Sequence, residues 1–282
     1  MGVSIDGKAL AKKTREEIKS FVESCAAQGM RVPCIATILV GNDGGSIYYV
    51  KNQTKLCREL GLNSKEILLD ESIAEQELIN LIEELNEDKN IDGIMLQVPL
   101  PKHINEKNVT SRISYKKDVD GLTDVNFGKF YKGEKSFVPC TPRSVVELIK
   151  STGVNIRGKN AVVLGRSNIV GKPAAQLLLN EDATVTICHS KTDNLKAVCK
   201  NADILVAAIG KPGFVTSEFI KEGAIVIDVG TTMVDGKIKG DVAFDEAMNL
   251  AAYVSPVPGG VGSMTTTMLI KNTCEAYKEN VY

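Results

Sequence analysis

Apolar residues along this chain switch repeatedly between two spacings. Cys34–Val40, Lys65–Leu69 and Ile91–Val98 carry aliphatic and β-branched side chains in short runs that predict strands. Between them, apolar positions recur at helical spacing, and Ser72 with Glu75 predicts a capping box for a helix running through Leu85. A first βαβαβ unit follows. A second series contains Ala161–Gly165, Thr184–His189, Ile204–Gly210 and Ala224–Gly230, each so nearly all apolar that burial on both faces is expected. A Gly- and Lys-rich passage from Gly121 to Lys135 separates the two series, and Pro142 opens a helix ending near Gly153. The pattern predicts an α/β protein of two domains, an N-terminal α/β domain over 1–138 and a doubly wound, Rossmann-like domain over 139–264. The last helical run, Met264–Tyr277, follows a Pro/Gly-rich hinge at Ser255–Gly262, and a helix over 265–282 is free to fold back onto the first domain.

A length of 282 residues suits two modest domains, and 43% hydrophobic with 24% charged residues is the mix of a globular protein. With 34 basic and 35 acidic residues the net charge is −1, so no general attraction to nucleic acid is expected. No apolar stretch is long enough for a membrane helix. Met1–Lys13 passes straight into a charged amphipathic helix, and Asp6 stands where a myristoylation motif has Ser or Thr. A soluble, cytoplasmic protein without a membrane partner is the expectation. The seven cysteines are odd in number and form no C-x-x-C pair, so they read as free thiols. Two histidines, His103 in a polar loop and His189, are too few for a histidine metal site or a Ser/His/Asp triad, and no metal is expected.

Candidate chemistry begins where Ala161–Gly165 runs into Arg166-Ser-Asn-Ile-Val-Gly171-Lys-Pro173. Gly165, Arg166, Ser167, Ile169, Val170 and Gly171 form a strand–turn–helix of the kind that receives a dinucleotide phosphate. Ser167 stands where the second glycine of G-x-G-x-x-G would be, so the bare pattern serves equally as two tight turns. The next strand ends Cys188-His189-Ser190-Lys191, without the acidic residue that binds a ribose 2′-hydroxyl. Arg166, with Ser190 and Lys191, would suit the 2′-phosphate of NADP; the alternative is ordinary surface charge. Gly210 closes the following strand at the same carboxyl edge.

In the first domain, Ser46-Ile-Tyr-Tyr49-Val-Lys-Asn-Gln53 opens a helix after a Gly-rich loop. Tyr49 and Gln53 share a helical face from which Lys51 and Lys55 point away, and Tyr48 and Tyr49 read as half-buried packing aromatics. Gln97 is a polar residue at the carboxyl end of an apolar strand, where α/β sheets hold ligands. Lys117-Asp118-Val-Asp120-Gly121 by itself reads as a turn.

Together these segments resemble the bacterial FolD family, the methylenetetrahydrofolate dehydrogenase/cyclohydrolases. The blocks that carry the likeness are Asp92–Pro101, Lys117–Gly121, Pro139–Pro142, Gly165–Gly171, Gly223–Gly230, Gly240–Val242 and Pro256–Gly262, in family order over nearly the whole chain. The resemblance implies a homodimer that oxidises 5,10-methylenetetrahydrofolate with NADP and, in most members, hydrolyses the methenyl product to 10-formyltetrahydrofolate. It implies a folate cleft in which Tyr49 stacks on the ring system, Asp120 hydrogen-bonds the pterin and Gln97 orients the catalytic side chain. Pro258, Gly259 and Gly260 would line that cleft; Arg166, Ser167, Ser190 and Thr265 would contact the cofactor.

One position departs from the family pattern. Tyr-x-x-x-Lys becomes Tyr49-x-x-x-Gln53; a lesser change puts Ser263 where most members have Pro. Hydride loss from a carbon flanked by two nitrogens needs geometry more than proton transfer, whereas hydrolysis needs a group that titrates, and an amide does not. Gln53 therefore predicts a dehydrogenase with weak or absent cyclohydrolase activity. The alternatives are a fully bifunctional enzyme, a catalytically idle folate- or NADP-binding protein, and another two-domain dehydrogenase such as a shikimate or amino-acid enzyme.

Overall fold

The two series of strands become two parallel sheets in the computed structural model, which describes residues 1–281. Tyr282, the last residue of the expected 265–282 helix, lies outside the described residues. The first sheet has the order Asn63–Leu69, Cys34–Val40, Gly93–Leu96, so the earliest strand is central. Ala36, Ile38, Val40, Ile94 and Leu96 share one face and pack against Leu78, Ile79, Ile82 and Leu85 of helix Glu75–Glu87. Side chains alternate along a strand and paired residues share a face, so Thr37, Met95 and Gln97 belong to the opposite face. The expected capping box is displaced. Ser72 gives its N–H and hydroxyl to Asp70 in a local turn, and Glu77 reaches back to the N–H of Ala74 at 3.2 Å.

The second sheet has six parallel strands in the order Val3–Ser4, Tyr253–Val254, Ile225–Asp228, Ile204–Ala207, Asn160–Leu164, Thr184–Cys188. Ile225–Asp228 and Ile204–Ala207 are buried throughout, and Asn160–Leu164 is buried beyond its first residue. Thr184–Cys188 is not buried on both faces as its composition suggested: it is an edge strand, and Thr184, Thr186 and Ile187 are exposed. The opposite edge is a two-residue strand from the chain start. Met1–Lys13 therefore groups with Pro139–Met268, and Thr14–Val138 groups with the chain from Leu269 onward, in place of the linear division at 138/139 and 264/265. A hairpin of Thr232–Val234 and Lys237–Lys239 turns at Asp235-Gly236, both at positive φ (51° and 73°), as a primed turn requires.

Helix Val261–Val281 begins with one unit and ends with the other. Fully buried Tyr277 donates its hydroxyl to the carbonyl of Arg31 at 2.6 Å, and the Arg31 guanidinium lies 4.8 Å from the ring centroid. Arg31 in turn makes a two-pronged ion pair with buried Asp92, both bonds 2.7 Å, which also accepts from Asn280. Asn272 adds a hydrogen bond to the carbonyl of Val119. These contacts hold the end of the chain to the Thr14–Val138 unit. Among the described residues no helix is long and apolar enough to cross a membrane. The seven cysteines are free.

Candidate functional site

Strand Asn160–Leu164 lies between Thr184–Cys188 and Ile204–Ala207, so the loops at its carboxyl end diverge to opposite sides, the usual crevice of an open parallel sheet. A cavity of about 290 Å³ opens there, with Gly165, Arg166, His189, Ser190, Ile209 and Lys211 among its lining residues. Gly165 adopts φ +133°, and a Cβ on it would stand 2.2 Å from the carbonyl oxygen of Ala208. At Gly171 a Cβ would meet the Gly165 oxygen at 2.3 Å, so both glycines are required by close backbone approach. Ser167, standing where the second glycine would be, accepts at its Oγ from the N–H groups of Val170 (3.2 Å) and Gly171 (3.3 Å) where helix Gly171–Asn180 begins. Those two amides thus have an acceptor inside the loop. Arg166 and Ile169 are exposed, and Ser190 sits in a turn closed by the His189 N–H on Thr192 Oγ1 at 2.9 Å.

Two features of this cavity were missed in the sequence. Fully buried Asp241 accepts backbone N–H bonds from Ile209 (2.7 Å), Gly210 (3.0 Å) and Lys211 (2.6 Å), fixing the loop that forms one wall. Asp228 backs it, accepting from the amides of Gly230, Asp241 and Val242. Burial pushes the Asp228 carboxyl up to about 6 against the pull of those hydrogen bonds, with the neighbouring Asp241 charge adding to the rise. The block Gly240–Val242 was visible as a motif, but its bonding to residues some thirty positions earlier was not.

In the Thr14–Val138 unit, Asp43 caps helix Gly44–Leu60 by accepting from Ser46 N–H and Oγ at 2.8 Å. The expected half-burial of Tyr48 and Tyr49 is not found. Both rings are exposed, Tyr49 by 55%, and touch edge-on at 6.3 Å. Gln53 is only 6% exposed and donates Nε2–H to Thr37 Oγ1 at 2.8 Å on the neighbouring strand. Lys51 and Lys55 face solvent, as the helical arithmetic requires. Gln97 follows strand Gly93–Leu96, with its N–H on Ile38 O at 2.9 Å and its side chain on the same sheet face as Thr37. The sheet thus puts Gln97 on the face where Thr37 bonds Gln53.

The segment Lys117–Gly121 joins the same sheet through the Ile94 N–H on Lys117 O at 2.7 Å. Lys117 is structural: its ammonium, lowered in pKa by burial, caps helix Glu75–Glu87 through Leu85 O (2.9 Å) and Asp88 O (2.7 Å). Asp118 accepts from Leu122 and Thr123 N–H and from Asn126 Nδ2, bracing the turn in which half-buried Asp120 lies.

Pro258, Gly259, Gly260 and Thr265 belong to the other unit. Gly259 has φ +114°, and Gly260 is so closely packed that a Cβ would stand 2.6 Å from Pro256 O. Thr265 Oγ1 donates to Val261 O at 3.2 Å and lies 3.4 Å from Thr141 Oγ1.

Residues 5–120 match the family model for the tetrahydrofolate dehydrogenase/cyclohydrolase catalytic domain, and residues 139–281 match that for its NAD(P)-binding domain. The chain is 66% identical over 278 residues to the bifunctional protein FolD of Clostridium acetobutylicum, covering 99% of this chain and 100% of the relative. The FolD crystal structure from Campylobacter jejuni superposes with a TM-score of 0.97 at 42% identity, covering 100% of both chains. The Trypanosoma brucei enzyme, solved with NADP cofactor and an inhibitor, gives 0.94 at 41% identity over 99% of this chain and 98% of that one. With both halves matched in order and at full length, this chain belongs to the tetrahydrofolate dehydrogenase/cyclohydrolase family.

Proposed function

We propose that the protein oxidises 5,10-methylenetetrahydrofolate to the 5,10-methenyl form with NADP, and that its hydrolysis of the methenyl product is weak or absent. Family membership supports the first part, and Gln53 carries the second. The cavity beside Gly165 fits the cofactor: backbone approaches closely where phosphates would pass, and Arg166 with Ser190 offers charge and hydrogen-bond donors where a carboxylate would repel a 2′-phosphate. When bound, NADP supplies the hydride acceptor. The chain contributes orientation, with exposed Tyr49 available to stack on a flat ring and Asp120 to pair with pterin donors.

Hydrolysis asks for more. A water must lose a proton and a ring nitrogen must gain one, and a positioned acid/base group speeds such a step by ~10² to 10⁴. Gln53 occupies the position for that group, and its carboxamide neither gains nor loses a proton near neutral pH. Its Nε2–H is also committed to Thr37. Loss of the side chain's titration leaves hydride transfer intact, because that step moves no proton.

A second reading, in which both activities are present, is favoured by the FolD relatives, which are named bifunctional at up to 66% identity. The test is a paired assay on the purified chain. NADPH formation from methylenetetrahydrofolate is expected, with the methenyl product accumulating and then decaying at the enzyme-free rate. Enzyme-accelerated decay establishes the bifunctional reading instead, and absence of NADPH formation overturns the proposal altogether.

A further inference from the structure

The wall that Ile209 and Lys211 give the nucleotide cavity is not held by packing alone. Ile209, Gly210 and Lys211 leave the end of strand Ile204–Ala207 with three successive N–H groups turned to one carboxylate, that of Asp241. Gly210 takes φ +65° to allow this. Asp241 cannot drift. Its own N–H is bound to Asp228 Oδ1 at 2.8 Å, its carbonyl accepts from Val215 N–H at 2.9 Å, and Gly230 is so close that a Cβ there would lie 2.6 Å from Asp241 Oδ1. Ile209, Lys211 and Phe214 line the cavity, with the Lys211 ammonium 5.6 Å from the Phe214 ring centroid. The anchored loop thus sets where a charged group and an aromatic face stand in the cavity that Ser190 also lines.

We infer that Asp241 is a positioning residue for the adenosine end of the dinucleotide: by fixing Ile209–Lys211 it sets cofactor affinity without touching the cofactor. This rests on the reading of the cavity as the NADP site. Charge-assisted bonds from three donors to one buried acceptor are among the stronger restraints a loop can have, and removing them frees the wall to move. The Asp241 carboxylate bonds Ile209, Gly210 and Lys211, all within this one loop, so the expected effect is on cofactor affinity.

Asp241→Asn keeps the side chain's volume but turns an amide donor toward backbone N–H groups. In that variant the Kd for NADP and for 2′,5′-ADP, a probe of the adenosine end alone, is expected to rise about tenfold, the loss of one to two such bonds. The folate KM and kcat at saturating NADP stay within about twofold, since neither depends on ground-state affinity for the cofactor. A lower melting temperature with unchanged Kd for 2′,5′-ADP makes Asp241 merely structural and overturns the inference. Should Asp241→Asn not fold, Gly210→Ala decides, because no atom lies within 4 Å of the added Cβ and the strain is confined to the loop. Binding of 2′,5′-ADP as tight as wild type then overturns it. If wild-type protein binds neither NADP nor 2′,5′-ADP, the cavity reading itself fails; if wild type binds and Asp241→Asn binds equally, only the role of Asp241 falls.

Discussion

The cavity beside Gly165 and the helix carrying Gln53 depend on sequence in opposite ways. Around the cavity, backbone does the shaping: Gly165 and Gly171 exist because other carbonyls occupy the space of a Cβ, and Asp241 acts only on main-chain N–H groups. A change there alters the fold of the loop and with it any ligand contact. On helix Gly44–Leu60 the backbone is ordinary, capped by Asp43 and ended by Gly61 in the left-handed conformation, and the proposed function rests on the identity of one side chain. Gln53 satisfies its buried amide with Thr37, so the helix packs on the sheet at this position without a charged side chain. A substitution in the glycine loop must therefore move backbone, whereas one at Gln53 need not.

This contrast can be broken at several points. Gly165→Ala has the largest expected effect. A Cβ forced against Ala208 O at φ +133° should cost roughly 3 kcal/mol or more in urea denaturation and abolish NADPH formation. Retention of cofactor binding would show that backbone approach is not what shapes the cavity. Asp228→Asn probes the support behind Asp241. The folded carboxyl, raised from 3.8 to about 6, favours folding at low pH, and this contribution fades as pH rises through about 6. Wild type should therefore lose stability relative to the non-titrating variant between about pH 4 and pH 7, by on the order of 2–3 kcal/mol. A flat difference across that range contradicts the burial argument.

Arg166→Ala should act on specificity. NADP loses a charge-assisted contact and NAD does not, so the ratio of their kcat/KM values should fall by about tenfold. Equal loss for both cofactors would place Arg166 elsewhere than at the 2′-phosphate. Tyr49→Ala is the smallest in stability. With its ring 55% exposed, a change within about 0.5 kcal/mol is expected together with a raised folate KM. An unaltered KM removes Tyr49 from the folate site.

Legibility in the sequence followed the range of the interactions. The alternation of strands and helices, the glycine loop and the orientation of Gln53 away from Lys51 and Lys55 are local, and periodicity carries them. That Lys51 and Lys55 point away from Gln53 was legible from helical spacing, but the burial of Gln53 and its partner Thr37 were not, because pairing across a helix–sheet interface leaves no spacing signature. Asp241 was hidden for the same reason: its carboxylate meets a loop thirty residues upstream. Val3–Ser4 is too short to show alternation, so the strand that moves Met1–Lys13 to the nucleotide-binding unit could not be read. Thr184–Cys188 misled because apolar content does not distinguish an edge from a central strand. The hairpin at Asp235-Gly236 did carry a local turn signal, with strands too short to support it.

The account turns on Gln53, and one comparison tests it most directly: methenyltetrahydrofolate decay followed with wild type and with Gln53→Lys, NADP-dependent oxidation being measured on the same preparations. Wild-type decay at the enzyme-free rate, acceleration by ~10² or more in Gln53→Lys, and dehydrogenase rates within a few-fold of each other are the predicted results. Wild-type decay as fast as that of the lysine variant would contradict the account and assign the proton transfers to another group.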